Sequence, residues 1–344
     1  MTAEATVTAE HLDGGHIFSP IVRIAPSLRV LSRSAAADQG VARMTLLESY
    51  TSGQTTQVQR ALSAWFPAGT HPGGFGWESA TDQLPSSICV ARNDQGLVVG
   101  WAGMADGEGR IECGPDDASS AAVLADWLVE NASGTTANVP VYHARPLVRA
   151  ALTARGFRDD ADAGVVAGLV HPAGDVEFDL PDGYRIRAID PDEDTARVQV
   201  HRRAWKPLRM PYPKDILGRI DPTDESRFTA QALWVMKRTW LYDRELDLVI
   251  EAPDRSLAGC CTVWFDPETG WAEIEPLGIV PEHRRLGLAT ALALEACRLV
   301  GARGGHTVFI NSAPLPHYPA PWETYLRAGF TPLDRGTHMT IGTD

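Results

Sequence analysis

The chain has 344 residues, 44% of them hydrophobic and 22% charged, with a net charge of −13. That length and composition suit two ordinary domains or one large one with sizeable cores, while the acidic balance argues against a nucleic-acid partner, whose phosphates require a basic face. No apolar run reaches the roughly eighteen residues of a membrane span, and the first ten residues lack the basic-then-apolar pattern of a secretion signal, so a cytoplasmic protein without membrane association is expected.

Five cysteines at irregular spacing fit reduced thiols better than a disulfide framework. Cys260 and Cys261 are adjacent, so a strand would point them to opposite faces and make them poor joint metal ligands. His201, His306, His317 and His338 have no metal-ligand spacing. No metal is expected.

In chain order, residues 1–16 are candidates for disorder. Pro72-Gly-Gly-Phe-Gly-Trp77 reads either as a surface loop or as a segment lying over a cleft. Leu97–Met104 alternates as a strand, Ile111–Pro115 leads into a helix from about Ala118 to Val129, and Leu152-Thr-Ala-Arg-Gly-Phe157 follows. Val170–Gly183, rich in Pro, Gly and Asp, is the linker candidate. It divides the chain into units 1–172 and 173–344.

Beyond it, Tyr184–Ile189 reads as a strand and Pro191–Trp205 as a helix. Arg203–Lys214 is an aromatic, proline-containing insertion, and a helical stretch runs through Trp234 to Tyr242. Strands are expected at Leu246–Glu251, Leu257–Phe265 and Trp271–Val280, then a helix from about Gly287 to Val300 and a strand at Thr307–Ile310 parallel to its predecessor. The predicted class is α/β: a mixed central sheet flanked by helices. It occurs twice, because Leu97–Met104, Ile111–Pro115 and Leu152–Phe157 parallel Leu257–Trp264, Ile274–Pro281 and Tyr325–Phe330 at a nearly constant offset.

Gly278–Thr290 is a strand, a proline-marked turn and a tight entry into a helix, so it directs backbone N–H groups and a positive helix end at one point, as a phosphate requires. Arg284 and Arg285 are expected to add mobile positive charge. Gly287 and Ala289 would let a diphosphate approach the backbone.

The pattern Arg284-x-x-Gly287-x-Ala289 after Leu-Gly-Ile-Val-Pro-Glu, followed by Asn311 and by Tyr325-Leu-Arg-Ala-Gly-Phe330, resembles the GNAT superfamily of acyl-CoA-dependent N-acyltransferases. The proline-rich stretch Pro314–Pro321 departs from that pattern by its length. The resemblance implies two tandem GNAT-like domains and acetyl-CoA, or another acyl-CoA, as co-substrate. It implies that Leu277, Ile279 and Val280 hold the thioester and that Arg284, Arg285, Leu286, Gly287, Leu288, Ala289 and Thr290 cradle the diphosphate. Asn311 would contact the pantetheine arm or cap the next helix. Tyr325 would protonate the leaving thiolate.

An amine of pKa near ~10 needs a base at neutral pH, and Glu275 on the strand before the cradle is preferred over Glu273. Trp205, Tyr212, Trp240 and Trp264 are candidate walls of an acceptor pocket, or else core. In the first unit Ala118, Ala121 and Val123 stand where Arg284, Gly287 and Ala289 stand, Asp116 and Asp117 add negative charge, and Leu152 replaces Tyr325, so that copy is expected to be degenerate.

The expected function is transfer of an acetyl or other short acyl group to a small-molecule amine by direct attack in a ternary complex. The alternatives are a catalytically silent acyl-CoA-binding or interaction module and a protein or peptide N-acetyltransferase. A monomer or homodimer is expected.

Overall fold

The computed structural model describes residues 45–132, 136–209, 212, 220–221, 223–315 and 319–342. The disorder expected for residues 1–16, the loop histidine His317, and most of the insertion between Arg209 and Ile220 lie outside the described residues.

Each half begins with antiparallel strands and then turns parallel through a helical crossover. In the first half β1 (Leu46–Ser49) is followed by helices α1 (Thr55–Trp65) and α2 (Pro72–Ala80), strands β2 (Ser87–Arg92), β3 (Val98–Ala105) and β4 (Glu108–Cys113), helix α3 (Ala118–Asn131) and strand β5 (Ala137–Tyr142). Helix α4 (Pro146–Thr153), the short β6 (Arg158–Asp159) and β7 (Val165–Pro172) complete it. The second half repeats the plan. It contains β8 (Arg185–Ala188), α5 (Asp194–Ala204), α6 (Ala230–Met236), β9 (Asp247–Glu251), β10 (Leu257–Asp266), β11 (Trp271–Ile279), α7 (Leu288–Ala302), β12 (Thr307–Ile310), α8 (Ala320–Arg327) and β13 (Thr331–Ile341).

These strands form one sheet in the order β1-β2-β3-β4-β5-β13-β7-β12-β11-β10-β9-β8, with β6 beside β13. Read inward from either edge, the pairing is the same: three antiparallel joins, one parallel join, then an antiparallel join. The repeat seen in the sequence is therefore a repeat of topology.

The halves also exchange their last strands. β13 of the second half pairs with β5 of the first, and β7 of the first pairs with β12 of the second. Each core borrows accordingly: Met339 packs into the first half's cluster and Leu169 into the second's. The sequence reading did not anticipate this exchange. It also shortens the linker, since Val170–Pro172 belong to β7, and the chain from 173 onward crosses α7, where Gly174 N donates to Cys297 O at 3.2 Å.

Pro72–Trp77 is not a surface loop. It opens α2, started by Pro72 at the first turn with His71 Nδ1 accepting from Gly73 N. The helix lies on β10 and β11 of the other half, and its glycines allow that approach. A Cβ on Gly73 would fall 2.2 Å from Trp264 Cβ, and one on Gly74 would fall 2.7 Å from Glu273 Oε2.

Candidate active site

In the second half the parallel ladder between β11 and β12 runs only from Trp271↔Thr307 to Glu273↔Phe309, although β11 continues to Ile279. Beyond Glu273 the two strands part. Val280 N donates to Ala258 O of β10 at 2.9 Å, and Gly278 lies opposite Cys260. Alternation along a strand then turns the N–H groups of Leu277 and Ile279 to the opening.

A 3-10 turn at Pro281–His283 leads from the end of β11 to α7. Arg285 and Gly287 both adopt left-handed backbone conformations, with φ of 69° and 79°. The helix cap at Gly287 has no side-chain hydrogen bond, and the first helical bond of the turn is Ala291 N to Gly287 O at 3.0 Å. The N–H groups of residues 285–290 consequently find no acceptor among the described residues. Alternating left-handed residues followed by a helix start form a concave array of donors suited to phosphate oxygens. Arg285, Leu286 and Gly287 are exposed there, and a Cβ at Gly287 would meet nothing within 4 Å. The left-handed φ thus favours glycine at 287, and no protein atom crowds it there.

Arg284 behaves differently from the expectation of mobile charge. Its Nε donates to Ile279 O at 3.0 Å, its Nη2 to Ala204 O and Lys206 O at 2.8 and 2.6 Å, and its Nη1 to Leu208 O. Its guanidinium staples the end of β11 to the end of α5. Arg285 carries the exposed charge of the turn.

Glu275 sits at the start of the opening, half-buried, and its carboxylate accepts no hydrogen bond among the described residues. Burial, then the negative charges of Glu273 and Glu78, push its carboxyl up to about 8. Glu273 is not on an exposed face: it is 3% exposed, its Oε2 lies 3.5 Å from His71 Nδ1, and that oxygen has no hydrogen-bond partner among the described residues. Glu78, on α2 of the first half, is gripped by Arg110 through bonds of 2.6 and 2.9 Å. The carboxylates beneath the opening thus come from both halves.

Tyr325 is 8% exposed within the second half's core, its ring 5.9 Å from Phe330, while Asn311 is exposed just after β12. The four aromatic wall candidates separate. Trp264 is fully buried under α2, and its Nε1 donates to Glu275 O at 2.6 Å, so it supports the strand from below. Trp240 stacks under Arg60 at 3.8 Å. Tyr212 is half-buried. Trp205 is 41% exposed and covers Gly278, where a Cβ would fall 2.5 Å from Trp205 Cζ3.

The corresponding corner of the first half is built differently. β4 and β5 also part after a single bridge, Glu108↔Asn138. At the start of α3, however, the Asp117 carboxylate accepts from Ser120 N at 3.0 Å, Ser119 Oγ at 2.7 Å and Ser120 Oγ at 2.7 Å. Burial raises its pKa, but these bonds outweigh burial and hold the group below the ordinary aspartate range. The helix start that meets solvent in the second half is closed in the first by the chain's own anion.

Residues 210–330 match the acetyltransferase (GNAT) family. That segment, similar to a family whose chemistry is acyl transfer from acyl-CoA, contains the open strand, the donor turn and the helix bearing Tyr325. A search of the curated proteins returns no match. Among solved structures, the chain is similar to a GCN5-related N-acetyltransferase from Sphaerobacter thermophilus, at 16% identity over 87% of this chain and 95% of that one, with a TM-score of 0.47. It is also similar to a tandem GNAT protein from the clavulanic acid biosynthesis pathway (17% identity, 87% and 100% coverage, TM-score 0.49). A third is a GNAT-family acetyltransferase from Colwellia psychrerythraea (14%, 86% and 99%, 0.49). Among the described residues no helix is long and apolar enough to cross a membrane, and no group of three or more His, Cys, Asp or Glu side chains is placed to hold a metal ion.

Proposed function

We propose that the second half transfers an acetyl or other short acyl group from acyl-CoA to the amine of a small molecule, by direct attack within a ternary complex. The observation that carries this reading is the continuity of open strand and open helix start. The N–H groups of Leu277 and Ile279 face the gap between β11 and β12, and those of residues 285–290 follow within one turn. Such donors fit a thioester oxygen and a diphosphate, and they stabilise a developing oxyanion by about 3–4 kcal/mol when preorganised.

Glu275 takes the ammonium proton, directly or through water. The freed amine nitrogen bonds to the thioester carbon, and the carbon–sulfur bond breaks. Tyr325 protonates the departing thiolate. The balance is one acylamide, one thiol and one proton released. The buried cysteines are poor nucleophiles, since burial raises each thiol pKa, which favours direct attack over an acyl-cysteine intermediate.

Units 1–172 and 173–344 act as one assembly in this reading, the first half supplying β7, α2 and Glu78 to the working half. CoA release from acetyl-CoA with a panel of amines tests the reading, alongside Tyr325→Phe. Amine-dependent release that falls at least about tenfold in the variant supports it. Acetyl-CoA binding with no turnover on any amine refutes it.

A further inference from the structure

Two buried polar side chains on α5 are left incomplete by the fold. Arg197 is fully buried; its Nε donates to Asp247 Oδ1 at 2.8 Å and its Nη2 to Thr262 Oγ1 at 2.9 Å, but its Nη1 has no partner among the described residues. His201, one turn further along, is 2% exposed, and neither ring nitrogen has a partner among the described residues. Both flank Phe228: the Arg197 guanidinium carbon lies 5.9 Å from its ring centre and the His201 ring 4.5 Å from it. A buried donor or acceptor without a partner costs about 1–3 kcal/mol, so two on one helix face call for a ligand or a function.

Their surroundings are an aromatic enclosure built from both halves. Trp77 of the first half stacks on Phe228 at 5.4 Å and meets the edge of His201 at 5.4 Å. Trp205 stands at right angles to His201 at 4.1 Å and covers Gly278 of the open strand. The route from the proposed thioester site to His201 is therefore one aromatic ring thick.

Charge decides what the enclosure accepts. Asp247 already neutralises Arg197 and also accepts from Thr262 Oγ1 at 3.0 Å and Tyr242 OH at 3.2 Å. Burial, and then the Arg197 charge, hold His201 well below its ordinary pKa, so it is neutral. A second buried anion would have no counter-charge. A neutral group offering both an acceptor and a donor fits: its oxygen accepts a hydrogen bond from Arg197 Nη1, and its N–H donates to the unprotonated nitrogen of His201.

We propose that Arg197 and His201 recognise a carboxamide on the acceptor, so that the substrate is an amine carrying an amide group, admitted when the exposed Trp205 ring moves aside from His201. This inference rests on the proposed acyl-transfer reading for the placement of the amine, but the recognition itself can be measured without turnover.

The probes are L-phenylalaninamide, L-phenylalanine and phenethylamine, tested by calorimetry and thermal shift on the full chain with acetyl-CoA present. The amide is expected to bind at least about tenfold tighter than the acid and the amine, since each comparison removes or mismatches a hydrogen bond in a dry site. His201→Phe should erase that preference, leave acetyl-CoA affinity unchanged and keep or raise Tm, because it removes unpartnered polar atoms. His201→Asn, which keeps a donor and an acceptor, should restore part of the preference. Equal binding of all three probes, or binding of none, overturns the assignment, as does a His201→Phe variant that loses Tm without losing selectivity. Amide-selective binding with no CoA release refutes acyl transfer alone, and CoA release without selectivity refutes the recognition alone.

Discussion

Replacing Glu275 by Gln should move activity and stability in opposite directions. The folded carboxyl titrates at about 8, against 4.5 for the ordinary group. Because folding raises this pKa, the neutral carboxyl is tolerated below the unfolded value, and stability is lost as pH rises through the window between the two. At 1.36 kcal/mol per pKa unit the ceiling is ~5 kcal/mol. The side chain is partly exposed, so solvent screening lowers the expected effect to about 1–2 kcal/mol.

Gln cannot ionise and has nearly the same shape. Glu275→Gln should therefore match the parent in Tm near about pH 5 and exceed it near about pH 9. Its kcat/KM should fall by about 10²–10⁴, and the parent's rise in kcat/KM with pH, centred near 8, should vanish. Calorimetric melts at both pH values, beside pH–rate profiles, provide the check. A variant that is less stable at high pH, or one that keeps the parent's pH profile, would refute the placement of this carboxylate as a buried base.

Asp117→Ala should cost the first half about 1–2 kcal/mol through loss of its helix cap, seen as a lower Tm at neutral pH. The difference should shrink as acid protonates Asp117 in the parent, whose folded pKa is depressed. Arg284→Lys should act as a stability variant: a lysine cannot span the four carbonyls that the guanidinium binds, and a loss of about 2–3 kcal/mol is expected in denaturant melts. Unchanged stability with weakened acetyl-CoA binding would show instead that the side chain serves the ligand. Residues 173–344 expressed alone should fail to give a cooperative melt, because β12 loses β7 and β13 loses both β5 and β7. A folded, monomeric fragment by circular dichroism and gel filtration would contradict that dependence.

Much of the second half was legible because its signals are local. Strand alternation, the proline turn, Gly287 at a left-handed position and the Ala/Leu stripe of α7 all act within a few residues, and the observed elements fall where those signals put them. In the first half, the sequence shows Ala118 and Ala121 in place of arginine and glycine, and negative charge at Asp116 and Asp117. That Asp117 itself occupies the anion position depends on its bonds to Ser119 and Ser120.

Other features were decided by contacts between distant residues, which carry no local pattern. Whether Arg284 would face solvent or reach back to Ala204 depended on where α5 ends in space. Glu273 and Glu275 share a strand, and Glu273 is closed off by α2, some two hundred residues away in the chain, whose Gly74 approaches its carboxylate.

By itself the sequence determined the mixed α/β class, the repeat, the donor-rich turn at 284–290 and the family that turn resembles, because each rests on short-range backbone chemistry. Only the tertiary structure decided that the halves exchange β7 and β13, that α2 of the first half lies on β10 and β11 of the second, and that Arg197 and His201 both flank Phe228. Those outcomes depend on packing across the sheet, where a residue's role is set by neighbours its own segment cannot specify.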